Sequence, residues 1–291
     1  MCPDDHETSA IVYLNGRFLP LDEARISPLD RGFLYGDGIF TTMRAEKGCC
    51  LYVKDHLDRL EQSLMEIRLP LPSGVEWEAI LADLLLRNRL EQRVGAVKIV
   101  VSRGASALPG LPDVSRPTVV LYARPYEPPP SSAHQTGYRL HVFRDGFSPP
   151  FSRMKSLNYL FCLMARQAAL DAGADEAVVL DAQGRIAETA AGSLLLRSGG
   201  KWWTPRSDYQ LPGITLRHVM KIMEETGRQV TRRFADAADL FSAETIWVLN
   251  SLIGIAPVSQ LDHRQLKEPL QEEACRLRAE FFARGRQRGP L

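Results

Sequence analysis

Lys155 and Glu188 carry the first chemical signal in this chain. Lys155 lies in Phe151-Ser152-Arg153-Met154-Lys155-Ser156-Leu157-Asn158-Tyr159, just ahead of a segment with the apolar spacing of an amphipathic helix. Glu188 follows a tight turn in Gly184-Arg185-Ile186-Ala187-Glu188-Thr189, which reads as a strand. A primary amine can form a Schiff base with an aldehyde, and a carboxylate can hold a pyridine nitrogen protonated. Those are the two groups that pyridoxal phosphate (PLP) chemistry needs most, because the protonated ring then acts as an electron sink. Taken singly, a surface Lys is usually solvated and a Glu after a turn is usually exposed. Their order and context single them out.

The elements that must position these groups fit a chain of 291 residues, long enough for two domains with a core each. A hydrophobic content of 45% and a charged content of 24% belong to a globular protein, and a net charge of +1 gives no pull toward nucleic acid or anionic membrane. No apolar run approaches the roughly twenty residues that span a bilayer. The polar start, Met1-Cys2-Pro3-Asp4-Asp5-His6-Glu7, does not read as a secretory signal. The five cysteines (Cys2, Cys49, Cys50, Cys162, Cys275) are odd in number and lack metal-ligand spacing. The expectation is a reduced, cytoplasmic protein without metal, as the six histidines form no ligand cluster either.

A Pro/Ser-rich stretch, Arg124-Pro125-Tyr126-Glu127-Pro128-Pro129-Pro130-Ser131-Ser132, cannot continue a helix or a central strand. It divides the chain into an N-terminal domain (1–124), a linker (125–137) and a C-terminal domain (138–291). In the first, Ile11 to Leu14 and Arg17 to Leu19 flank an Asn15-Gly16 hairpin turn. Asp55 reads as the cap of a helix with Leu57, Leu60, Leu64 and Ile67 as its buried stripe. Trp77 to Leu90 reads as a second helix, and Val97 to Val101 and Thr118 to Tyr122 as strands. In the second, helices are expected over Leu157 to Ala172, Ile214 to Thr226 and from Leu270 until fraying at Gly285. Strands are expected over Tyr138 to Phe143, Glu176 to Leu180, Arg185 to Glu188, Ser193 to Arg197, Lys201 to Thr204, Thr245 to Leu249 and Ile255 to Val258. Interleaved strands and helices with many hairpins predict a mixed α+β fold rather than a doubly wound one.

Six short segments now fall in a recognisable order. They are Asp30-Arg31-Gly32-Phe33-Leu34-Tyr35-Gly36-Asp37-Gly38-Ile39-Phe40, His56-Leu57-Asp58-Arg59-Leu60, Lys155-Ser156-Leu157-Asn158-Tyr159, Gly173-Ala174-Asp175-Glu176-Ala177, Leu211-Pro212-Gly213-Ile214-Thr215, and Asn250-Ser251 through Pro257-Val258. On these the chain resembles the class IV aminotransferases, the fold type IV PLP enzymes. That family holds branched-chain and D-amino acid aminotransferases, (R)-amine transaminases and 4-amino-4-deoxychorismate lyase. The resemblance implies a two-domain enzyme with a smaller N-terminal α/β domain and a larger C-terminal mixed-sheet domain. It implies PLP as cofactor, a small-molecule amine substrate and a homodimer.

It also implies roles. Lys155 matches the Schiff-base lysine, which moves the proton once substrate displaces it. Glu188 matches the partner of the pyridine nitrogen. Arg59 matches a phosphate-binding arginine; read without the family, it is a helix-surface ion pair with Asp55 or Glu61. Ile214 and Thr215 match a phosphate site at a helix start, with Ser251 as a hydroxyl ligand from another loop. Tyr159 matches a ring-hydroxyl partner, or is core. Ser193 departs from the family, standing where Asn is usual.

The reaction is read from finer cues. Phe40-Thr41-Thr42 and Asn250-Ser251 lean toward the lyase. After Arg103-Gly104 the D-amino acid enzymes carry an Arg-x-His carboxylate trap that is missing here, as is the Gly-Arg-Gly-Tyr of many lyases. Phe40, Thr42 and Arg103 are the candidates for substrate contact, and loop 104–113 is expected to face substrate. The leading reading is 4-amino-4-deoxychorismate lyase, giving 4-aminobenzoate and pyruvate. The alternative is an aminotransferase passing the amino group to a 2-oxo acid. A binding protein that kept only the fold would be expected to lack Lys155 or Glu188, and both are present.

Overall fold

The computed structural model of the protein describes residues 10–113, 116–130, 136–266 and 270–287. Cys2, Ser131-Ser132 of the expected linker, and the tail from Arg288 lie outside the described residues. By packing, the chain forms two compact units. The first holds the described residues up to Pro128 with Lys155–Asn158 and 285–287; the second holds those from Pro129 to Met154 and from Tyr159 to Arg284.

In the first unit the elements are β1 (Ile11–Leu14), β2 (Arg17–Pro20), α1 (Arg31–Tyr35), β3 (Gly38–Glu46), β4 (Cys49–Cys50), α2 (Val53–Glu66), α3 (Trp77–Arg87), β5 (Gly95–Ser102) and β6 (Thr118–Pro125). The strands form one antiparallel sheet in the order β2-β1-β6-β5-β3-β4. Period-two alternation splits β5: Val97, Ile99 and Val101 are fully buried, while Lys98 and Val100 point to the other, partly open face. α2 packs on β3, and α3 on β1, β4 and β6. Leu60, Leu64, Leu81, Leu84 and Leu85 supply the apolar cover, each burial worth about 2 kcal/mol.

In the second unit the elements are β7 (Tyr138–Val142), α4 (Leu160–Asp171), β8 (Glu176–Leu180), β9 (Ile186–Thr189), β10 (Ser193–Ser198), β11 (Lys201–Pro205), α5 (Ile214–Glu225), β12 (Val230–Arg233), α6 (Ala237–Ser242), β13 (Thr245–Asn250), β14 (Gly254–Leu261), β15 (Arg264–Gln265) and most of α7 (Gln271–Gln287). The sheet runs β12-β11-β10-β13-β14-β7-β8-β9, with β15 on β14. It is mixed: β11/β12, β14/β7 and β7/β8 are parallel and the other pairs antiparallel. Leu194, Leu196, Ile246, Val248, Ala256 and Val258 form its core, and Ala165 and Ala169 let α4 lie close on β7 and β8. The expected α+β architecture, with a smaller N-terminal and a larger mixed C-terminal sheet, is the one observed.

Four local expectations are corrected. Asp55 is not the cap of α2: the helix starts at Val53 behind Tyr52, which adopts the left-handed conformation at φ 57° and makes no side-chain cap. The buried line of that helix is Val53, His56, Leu60, Ser63 and Leu64, with His56 turned inward to meet Thr41. α4 begins at Leu160, not Leu157, whose N–H is drawn to the Gly38 carbonyl at 3.0 Å. Gly285 lies inside α7, in contact with Tyr52 and Leu51.

Candidate active site

Lys155 sits on an extended segment laid along β3. Its carbonyl accepts from Phe40 N at 2.8 Å, Ser156 bridges Ile39, and Leu157 N donates to Gly38 O. That approach requires Gly38: a Cβ there would meet the Val101 carbonyl at 2.6 Å and Leu157 Cδ1 at 2.8 Å. The Lys155 Nζ lies 4.9 Å from the centroid of the Phe40 ring, which is buried at its base on β3. A second amine shares that ring, with Lys98 Nζ at 4.1 Å. Lys98 is paired across β3 and β5 with Thr42. Burial, and then the charge of Arg124, hold the Lys98 ammonium below its ordinary pKa. Phe40 and Thr42 thus belong to the sheet face that carries both amines. Lys98 was not singled out from the sequence, although a lone cation inside Val97-Lys98-Ile99-Val100-Val101 is the signal that it faces away from the core.

Arg59 lies on α2 in the same unit. Its Nη2 donates to Thr41 Oγ1 at 3.3 Å, and that hydroxyl lies 2.7 Å from His56 Nδ1. Thr41 and His56 are buried, so a hydrogen-bonded pair beneath the guanidinium orients it from below.

The second unit holds Tyr159, Glu188, Ile214, Thr215 and Ser251. Glu188 sits on β9 opposite Val179. Tyr159, the residue before α4, donates its hydroxyl to Ala190 O at 3.0 Å. Burial first, then the charges of Cys162 and Glu188, push the phenol far up, so it remains a neutral donor. Asn250 organises the turn containing Ser251: its Nδ2 donates to Ala191 O, and its Oδ1 accepts from Leu252 N and Ile253 N. At the start of α5 the capping position is Gly213, with no side-chain cap. A Cβ at Gly213 would collide with the Ser193 hydroxyl, so the small Ser193 and the glycine together open this corner. Beside it, Thr215 Oγ1 is buried without a hydrogen-bond partner. An orphaned hydroxyl at a helix start is costly unless an acceptor arrives to satisfy it. A phosphate would do so while meeting the free first-turn N–H groups, so these residues fit the phosphate of PLP.

Arg103 is corrected. Its side chain has 0% exposure, and all three guanidinium nitrogens are engaged: Nε with Asp37 Oδ2 at 2.8 Å, Nη1 with the carbonyls of Pro112 and Arg68, and Nη2 with that of Ile67. It is a buried framework group and presents no donor to substrate.

Among the described residues no group of three His, Cys, Asp or Glu side chains is placed to hold a metal ion, and no helix is long and apolar enough to cross a membrane.

Residues 38–261 match the family Amino-transferase class IV. A Methanocaldococcus jannaschii protein named "Putative branched-chain-amino-acid aminotransferase" is 31% identical over 276 residues, 93% of this chain and 94% of that one. The aminodeoxychorismate lyase of Bacillus subtilis is 28% identical over 255 residues, 87% of each chain. The structure of the T.th. branched-chain amino acid aminotransferase complexed with N-(5'-phosphopyridoxyl)-L-glutamate superposes with a TM-score of 0.84 at 26% identity, covering 97% of this chain and 96% of that one. The fold and these matches define a fold type IV enzyme, and this chain belongs to the class IV aminotransferase family. Members of that family are PLP-dependent enzymes, as the sequence led us to expect.

Proposed function

We propose that this enzyme acts on an amine that also carries a carboxylate, and that its reaction is that of 4-amino-4-deoxychorismate lyase. The observation that carries the reading is the pair of lysine amines on Phe40. Lys155 supplies the amine that binds the cofactor and then moves a proton. Lys98 supplies a fixed cation on the same sheet face, the complement of an anionic substrate.

The other residues take the roles their positions allow. Arg59, held by Thr41, would bind the phosphate through its planar fork; Thr215, Ile214 N–H and Ser251 would satisfy its other oxygens. Glu188 would face the ring nitrogen and keep it protonated. Tyr159, held neutral and donating its one O–H to Ala190 O, would accept from the ring hydroxyl. When bound, PLP supplies an electron sink for the pair left by proton loss. Lys155 takes that proton from the amine-bearing carbon of the substrate. The neighbouring C–O bond to the enolpyruvyl group then breaks. The enolpyruvate leaves and is protonated to pyruvate, and the ring becomes aromatic as 4-aminobenzoate. No amino acceptor is consumed.

Thr41-Thr42, Asn250-Ser251 and the lyase-named relative favour this reaction. A second reading, transfer of the amino group to a 2-oxo acid, is favoured by the branched-chain-named relative and the branched-chain structure. The test is direct. Holoenzyme is given enzymatically generated 4-amino-4-deoxychorismate without any 2-oxo acid, and 4-aminobenzoate and pyruvate are measured. L-Leucine, L-glutamate, D-alanine and an (R)-arylamine are offered in parallel, each with a 2-oxo acid. Turnover in the first assay alone supports the lyase. Turnover only of an L-branched-chain donor moves the reaction to transamination and leaves the cofactor residues in place.

The enzyme is further proposed to work as a cytoplasmic homodimer. Exposed Ile26, Leu29, Phe33 and Tyr35 in one unit, and Leu160, Leu163 and Met164 on α4 in the other, support a covered surface. Light scattering of the purified protein checks this, with a mass near twice that of one chain expected.

A further inference from the structure

Asp37 lies at the centre of a buried charge knot whose outer ends all grip backbone. One carboxylate oxygen, Oδ2, accepts from Nε of Arg31 and from Nε of Arg103, both at 2.8 Å. The side chains are 6%, 9% and 0% exposed in the order Asp37, Arg31, Arg103, so the pairing takes place out of water. A guanidinium is planar, so fixing its Nε fixes where its two outer nitrogens point. Arg31 directs them to the carbonyls of Leu108 and Gly110, at 2.8 and 2.7 Å. Arg103 directs them to Pro112 and, on the other side, to Ile67 and Arg68 at the C-terminal end of α2. A cation there also suits the helix dipole. Three carbonyls of loop 104–113 and the end of the helix carrying Arg59 are thereby referred to one carboxylate oxygen. The loop holds Leu108 and Leu111 outward, 61% and 46% exposed, although its backbone is tied down.

We propose that Asp37 is a positioning residue that presets loop 104–113 as a rigid substrate-selecting platform, acting through Arg31 and Arg103. The loop does not work as a lid that orders on binding. The substrate-facing part of this inference rests on the reaction proposed above; the knot itself does not. Asp37→Asn removes the anion and leaves two buried guanidiniums facing each other, so it loosens both arms. Arg31→Lys is the milder variant. It keeps a cation beside Asp37, but one ammonium cannot hold the Leu108 and Gly110 carbonyls together, so it frees the loop and spares α2.

The experiment measures hydrogen exchange of loop 104–113 and of the C-terminal turn of α2 in both holo variants, with KM and kcat on whichever substrate the wild type turns over. Exchange in the loop should rise at least about tenfold in both variants, and in the α2 end only in Asp37→Asn. KM should rise about tenfold with kcat within about threefold, the pattern of lost binding that is uniform through the reaction. Unchanged loop exchange in Arg31→Lys overturns the knot. A loosened loop with unchanged KM overturns the selecting role. If the wild type turns over none of the substrates, it is the proposed reaction that fails, and the exchange pattern still decides the knot.

Discussion

Arg59 donates from Nη2 to the Thr41 hydroxyl at 3.3 Å, so the cation on α2 is held by a residue on the neighbouring strand β3. The same hydroxyl lies 2.7 Å from buried His56 Nδ1. An arginine oriented from beneath keeps its remaining donors in a fixed plane, which suits recognition of a phosphate more than a surface ion pair does.

Arg59→Ala is therefore expected to weaken PLP retention by about 2 kcal/mol, roughly thirtyfold in dissociation constant, through loss of charge-assisted bonds. The cofactor absorbance of the fraction still loaded should be unchanged, because the phosphate and not the ring loses its partner. Equilibrium dialysis with absorbance spectra checks both halves.

Thr215→Val separates a phosphate ligand from a packing residue by the sign of two effects. In the apo protein the Thr215 hydroxyl is buried without a partner, so an isosteric apolar replacement should leave the melting temperature unchanged or raise it. In the holoenzyme the same change should cost about 1 kcal/mol of cofactor affinity, roughly fivefold. A drop in apo stability with intact affinity would show that the hydroxyl serves the fold alone.

The sequence shows the frame of this molecule more clearly than its contacts. The strand at Glu176–Leu180 is legible to the residue, because its apolar run is bounded by Asp175 and Asp181. The stop of α4 is legible because Gly173 adopts φ 72° after it. Strand β3 is not evident from the pattern: its nine residues contain the motif Phe40-Thr41-Thr42, and neither face is polar enough to alternate cleanly. Leu157 has helical spacing with the apolar residues of α4, yet pairing with Gly38 overrides it. Arg103 shows the limit best. Its partners Asp37, Ile67, Arg68 and Pro112 are far apart in sequence, so nothing local distinguishes a buried framework arginine from one aimed at substrate.

Glu188→Gln should reverse the Arg59 pattern. An amide cannot keep a ring nitrogen protonated, so proton removal should slow by at least about a hundredfold while cofactor affinity changes little. Single-turnover stopped-flow measurement of proton removal from substrate, beside a binding isotherm, reads the two effects separately. Wild-type rates in this variant would remove Glu188 from the role.

Cys50 gives a pH dependence of stability. Burial, helped by the neighbouring Cys49, raises its thiol from 9.0 to about 12. The folded state then holds a proton that the unfolded state releases. Stability from this group is fully present below pH 9 and is lost as the pH climbs from 9 toward 12, with a limiting slope of about 1.4 kcal/mol per pH unit. Other groups titrate there too, so the measurement is the difference between wild type and Cys50→Ala in denaturant midpoints across about pH 8 to 11. The variant should start less stable and lose less as the pH rises. Parallel curves would contradict the assignment.

Reductive trapping reads whether Lys155 holds the cofactor. The protein is loaded with PLP, treated with borohydride and digested, and the modified peptide is sequenced by mass spectrometry. The phosphopyridoxyl group should be found on Lys155, and Lys155→Ala should take up no covalent label while still binding PLP weakly through Arg59 and Thr215. Label on Lys98, or none on a protein that binds PLP tightly, would contradict the account.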